Sequence, residues 1–79
     1  MDRYLANAQD QQAYRIVRIL TRQTDRLEYL AALGLTPGVW LYILHKAPFH
    51  GPIQLKLETE YRIVGYELAR SLTLVAAAP

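Results

Sequence analysis

The stretch Leu33-Gly34-Leu35-Thr36-Pro37-Gly38 constrains this chain more than any other. A helix that ends at Leu33 needs a next residue able to take a left-handed backbone, and Gly34 does so without steric cost. Pro37 fixes its own φ and keeps Thr36 out of the helical region. Pro37-Gly38 then reads as a turn that launches a strand. A helical pattern lies before this stretch, and an alternating apolar pattern lies after it.

Taken in order, residues 1–12 are polar apart from Tyr4 and Leu5, and they read as an N-terminal arm docked through these two anchors. Residues 13–21 are rich in β-branched and aromatic types and predict a first strand. Arg15 and Arg18 fall on opposite parities there, so a bulge or an edge is expected. Asp25 followed by Glu28 has the spacing of a capping box, which places the helix at 26–33 with Asp25 as its N-cap. Leu27, Leu30, Ala31 and Leu33 form its apolar face. Residues 39–46 predict a second strand. Val39, Leu41 and Ile43 share the core parity, and Trp40 and Tyr42 share the other. Ala47-Pro48-Phe49-His50-Gly51-Pro52 is a turn in which Pro48, Gly51 and Pro52 set the geometry. Residues 53–57 alternate with Ile53, Leu55 and Leu57 inward, and 61–64 make a further short strand. A helical turn at 65–70 points Leu68 and Ala69 inward, a last strand covers 72–76, and 77–79 form a frayed tail. The expected fold is mainly β: a small antiparallel barrel of about five strands over residues 13–76, with one short helix inserted after the first strand.

Composition removes several classes of function. The chain has 79 residues, enough for one domain, and 52% of them are apolar, enough for one core. With no cysteine, disulfides, thiolate metal sites, iron–sulfur clusters and cysteine nucleophiles are excluded. The net charge of +2 is dispersed, which gives no basis for direct nucleic-acid binding. The uncharged run from Ala31 to Leu44 is broken by Gly34, Pro37 and Gly38 and is too short to insert in a membrane. No apolar signal segment opens the chain, so a cytoplasmic protein is expected.

No set of side chains has the spacing of a catalytic centre. Glu58, Glu60 and Glu67 lack a histidine or serine partner and read as solvated charge, so an enzyme is not expected. His45 and His50 flank Ala-Pro-Phe. They are candidate ligands for a weak Fe(II) or other divalent transition-metal site, against the plainer reading that both are surface turn residues. Trp40 and Tyr42 carry more information. Large aromatics on the outer parity of a strand suit a partner-binding surface or a homo-oligomer seam, unless the helix or the arm covers them. Phe49, in the adjoining turn, is a third candidate contact.

Leu30 to Gly38 (Leu-Xaa-Xaa-Leu-Gly-Leu-Xaa-Pro-Gly), Ala47 to Pro52 (Ala-Pro-Phe-Xaa-Gly-Pro) and the Glu-Leu-Ala turn with its strand at Glu67 to Val75 together resemble the FeoA-like domain over roughly residues 13–76. The resemblance implies an SH3-like barrel. It also implies one of two settings: a free-standing cytoplasmic accessory that contacts the cytosolic part of a FeoB-type ferrous-iron transporter, or the C-terminal regulatory domain of an iron- or manganese-dependent repressor of the diphtheria-toxin-repressor type. Met1 and the chain length are those expected of the free-standing form. Some repressors of that type ligate metal through a Glu and a Gln after the first strand. Here that stretch reads Arg22-Gln23-Thr24-Asp25, without the Glu.

Overall fold

The computed structural model describes residues 3–76. Six strands form one antiparallel sheet among these residues: β1 (Arg3–Tyr4), β2 (Gln12–Ile19), β3 (Trp40–Lys46), β4 (Ile53–Lys56), β5 (Tyr61–Val64) and β6 (Leu72–Ala76). A 3-10 turn covers Leu5–Asn7, α1 covers Thr24–Ala32 and α2 covers Tyr66–Ala69. The strand order is β1-β6-β2-β3-β4-β5. The expected mainly β antiparallel fold with one inserted helix is present, but with six strands, with the helix after the second of them because Arg3–Tyr4 adds a strand before it, and without the closure expected of a barrel. The hydrogen-bonded ladder is not closed, because β1 and β5 are left as its two margins. The expected tail at 77–79 lies outside the described residues.

The core is made by alternation. Tyr14 and Ile16 from β2, Leu41 and Ile43 from β3, and Ile53 and Leu55 from β4 are buried, as a half-buried sheet requires. Val64, Ala69 and Leu72 complete it from the C-terminal side. Tyr14 brings a polar atom into this core, and the Gln9 N–H satisfies it by donating to the hydroxyl oxygen at 3.1 Å. The bulge expected in the first strand occurs between Ile16 and Arg18, opposite β6. A second one separates Ile43 from His45 opposite β4.

The N-terminal segment is integrated more deeply than two anchors would suggest. Arg3 and Tyr4 pair with Leu74 and Thr73, and Leu5 and Ala8 enter the core. Lys46 fixes the turn from the far end of β3, its Nζ donating to Ala6 O at 2.8 Å and Ala8 O at 2.7 Å.

Helix α1 ends as its sequence requires. Gly34 has φ +81°, its N–H donates to Ala31 O, and the Leu35 N–H donates to Leu30 O, both at 2.9 Å. This is a complete Schellman end, and its two apolar members, Leu30 and Leu35, are both fully buried. Burial of Leu30 contributes about 2 kcal/mol to holding the helix. Arg62 reaches across from β5 and donates through Nε to Leu33 O at 3.1 Å, so another carbonyl at this helix end is satisfied.

The start of the helix corrects the sequence expectation. Asp25 is not the N-cap: the helix opens at Thr24, Gln23 occupies the cap without a side-chain bond, and the capping box does not form. Thr21 draws the chain into the helix early, its Oγ1 accepting from the Gln23 N–H at 3.2 Å. Asp25 then sits in the first turn, where its charge suits the helix dipole. The apolar face is also narrower than expected. Leu30 is buried and Leu33 half-buried, but Leu27 and Ala31 are exposed, because the helix is anchored at its C-terminal end.

Candidate functional site

Strand β3 presents the expected outer parity. Trp40 is 51% exposed and Tyr42 is half-buried, while Leu41 and Ile43 face the core. Neither α1 nor the N-terminal segment seals Trp40 from solvent. Its register partner on β2 is Arg15, whose guanidinium lies over the indole ring at 5.8 Å from the centroid. That distance is within cation–π reach. Tyr42 is tethered differently: its hydroxyl donates to Gln11 Oε1 at 3.4 Å. Gln11 itself is held in a left-handed conformation, φ +59°, with its N–H donating to Ile43 O at 2.6 Å and its Nε2 donating to Leu44 O at 2.8 Å.

Two adjoining depressions share Trp40 as their ridge. One is lined by Val39, Trp40, Leu57 and Glu58. The other adds Ala13, Leu41, Tyr42 and Lys56. The floor is apolar and the rim carries one cation and one carboxylate. An aromatic ridge above aliphatic walls is suited to receiving apolar side chains of a partner.

Phe49 is exposed almost completely, at 98%, but it does not join Trp40 and Tyr42. Trp40 opens β3, and Phe49 lies past the other end of that strand. Phe49 belongs instead to the turn 47–52, with φ +57°, next to His50 with φ +58°. The His50 ring is stacked on Tyr66 at 4.1 Å between centroids and 8° between planes. Pro48, Gly51 and Pro52 close the turn as expected: Ala47 N–H donates to Pro52 O at 3.0 Å and Gly51 N–H to Pro48 O at 3.1 Å. A further depression lined by Tyr4, Ala6, Asn7, Leu20, Tyr66 and Arg70 uses the same Tyr66.

His45 is exposed on β3, past the bulge, and His50 is exposed in the turn. Among the described residues no three His, Asp or Glu side chains gather where they could hold a metal ion. Two imidazoles, one of them stacked on a tyrosine, fall short of the convergent ligand set that a resident transition metal needs. Among the described residues no helix is long and apolar enough to cross a membrane.

Strand parity alone places Trp40 and Tyr42 on the outer side of β3. It misses Arg15, Leu57, Glu58 and Gln11, which reach this face through the β2–β3 and β3–β4 registers. Nothing in a local pattern reports register between strands so far apart in sequence.

Comparison with known proteins agrees with this architecture. No curated protein matches the chain. Among solved structures, an iron uptake regulatory protein, FeoA, is 25% identical with a TM-score of 0.88, over 98% of this chain and 100% of that one. A FeoA-like protein from Clostridium acetobutylicum is 18% identical with a TM-score of 0.84, over 99% and 90%. The chain also superposes on part of a manganese-dependent transcriptional repressor, at 22% identity and a TM-score of 0.88, where it spans 96% of its own length and 42% of the repressor. Against IdeR from T. acidophilum the identity is 20%, the TM-score 0.85, and the coverage 96% and 34%. The family model for the FeoA domain matches residues 3–75, nearly the whole chain, and the chain belongs to that family.

Proposed function

We propose that this protein is a non-enzymatic cytoplasmic adaptor that regulates ferrous-iron transport by contact with the cytosolic part of a FeoB-type transporter. Trp40 carries the reading. An indole half in solvent, ridged between two apolar depressions, is costly for a surface that meets nothing and ordinary for one that meets a partner. Trp40 is the anchor, Tyr42 widens the patch, and Phe49 touches a separate part of the same partner. The iron is cargo of the transporter.

The test is an NMR titration of the labelled protein with the cytosolic G-protein region of such a transporter. Shifts centred on residues 39–46 and on Leu57 and Glu58 are expected. Trp40→Ala is expected to weaken the complex about tenfold or more with little change in melting temperature. Unfolding of that variant, or shifts confined to other faces, overturns the reading.

A second reading is favoured by the superposition on repressor chains, of which this domain spans 42% and 34%. There the same face packs against the remaining domains of a metal-dependent regulator. Absence of any shift on adding the transporter domain moves the weight to it. Titrating the same labelled sample with ferrous, manganous and zinc ions decides whether His45 and His50 also make a weak divalent-metal contact. Line broadening at both rings is expected if they do.

A further inference from the structure

The two margins of the open sheet differ. β1 offers two residues, whereas β5 offers four. The phase of the β4–β5 ladder is fixed by the Leu57 N–H donating to Glu60 O at 2.7 Å together with the pairings Leu55↔Arg62 and Ile53↔Val64. Hydrogen-bonded and non-bonded pairs alternate along an antiparallel ladder. Arg62 and Val64 therefore turn their backbone groups toward β4, and Tyr61 and Ile63 turn theirs outward. The side chains of these two outward residues are apolar and 64% and 62% exposed. Proteins usually blunt such an edge with charge, proline, a bulge or a cover. Here the blunting is partial: Arg62 Nη1 donates to Tyr61 O at 2.9 Å, and a carbonyl oxygen keeps a second lone pair.

We propose that β5 pairs antiparallel with β5 of a second copy of this chain, about a two-fold axis through Arg62. Among the two-fold registers open to identical antiparallel strands, this one places both outward residues of each copy in hydrogen-bonded pairs. It sets Tyr61 against Ile63 of the other copy and Ile63 against Tyr61, so the outward N–H and C=O groups of both strands find partners. Each facing pair joins an aromatic to a β-branched side chain, a favourable cross-strand combination. Arg62 meets its own copy across the axis. Each Arg62 is already bound by Glu60 through Nη2 at 2.6 Å, and in this register Glu60 of one copy is also the diagonal neighbour of Arg62 in the other. The two guanidinium groups are thus flanked by two carboxylates, and on the outer face each Tyr61 ring keeps the Lys56 ammonium of its own copy 5.7 Å from its centroid. The pairing is isologous and closes as a dimer. A seam four residues long buries little area, so the dimer forms with rising concentration and is not permanent. The Trp40 face lies on β3, two strands away, and stays free in it.

Sedimentation velocity from micromolar to millimolar chain tests this. A monomer–dimer equilibrium is expected for the native protein. Ile63→Pro removes an outward N–H without touching the β4 ladder, and Tyr61→Lys puts a charge on the edge. Both are expected to lose the dimer while keeping the native circular dichroism spectrum. If the proline variant fails to fold, the lysine variant still answers the question. A mixed labelled and unlabelled sample is expected to show intermolecular contacts between the Tyr61 ring and the Ile63 methyl groups. A native protein that stays monomeric throughout overturns the proposal and leaves the edge to a strand of a different chain. A dimer that both variants retain also overturns it.

Discussion

β3 is entered through one turn and left through another, and each turn needs residues with positive φ. In the first, Gly34 at +81° and Gly38 at +93° occupy those positions, where glycine pays no steric penalty. In the second, the positions fall to Phe49 at +57° and His50 at +58°. A residue with a Cβ in this conformation costs on the order of 1–2 kcal/mol, and here two stand in succession. The second turn is nonetheless well held, by its backbone bonds across Ala47 to Pro52 and by the stack of His50 on Tyr66. The strain leaves Phe49 in solvent, with no contribution to the core. The first turn is what a folding requirement alone produces. The second carries a conformational cost, and the Phe49 ring returns none of it through burial.

The largest expected effect breaks the first turn. In Gly34→Val a β-branched residue is forced to φ +81°, and its Cβ lies 3.3 Å from Leu57 Cδ1. A loss of about 3 kcal/mol is expected from the backbone conformation and the contact together, read from the midpoint of urea unfolding. A loss below about 1 kcal/mol would mean that the Schellman end does not hold α1.

A somewhat smaller loss belongs to the second turn, for a different reason. Gly51 has no unusual φ, but a Cβ there would lie 2.7 Å from Ala47 Cβ and 3.1 Å from Pro48 O. Neither atom is the end of a flexible side chain. Gly51→Ala is expected to cost about 2 kcal/mol by overpacking, with amide shifts confined to residues 47–52. Shifts spreading along β3 would show that the turn sets the register of the strand, and the two turns would then be alike in being structural.

Legibility in the sequence follows the range of the interaction. The end of α1 could be read because Leu30, Gly34 and Leu35 are close in sequence and the motif is local. The alternation of Leu41 and Ile43, and of Ile53 and Leu55, could be read because period-two patterning needs no knowledge of neighbours. The start of α1 was misread because a Thr21 hydroxyl, outside the expected cap, turns the chain first. β1 was missed because two residues have no periodicity, and its pairing with β6 joins the two ends of the chain. The candidate site divides in the same way. Strand parity placed Trp40 outside, but Arg15 above it and Leu57 and Glu58 beside it depend on cross-strand register. The separation of Phe49 from Trp40 depends on where the strand ends.

The smallest expected effect has the opposite sign and decides what the second turn is for. Phe49→Gly relieves one left-handed residue and removes a ring that is 98% exposed. The relief exceeds the extra entropy of an unfolded glycine by a small margin, so the variant is expected to be about 0.5 kcal/mol more stable. Phe49→Ala separates the two contributions, because it keeps the strained backbone and removes the ring. If Phe49 is a contact residue, both variants lose partner affinity, and the glycine variant alone gains stability. If the glycine variant is destabilised, the ring supports the turn in a way its exposure does not reveal. The strain at Phe49 would then belong to folding, as the glycines of the first turn do.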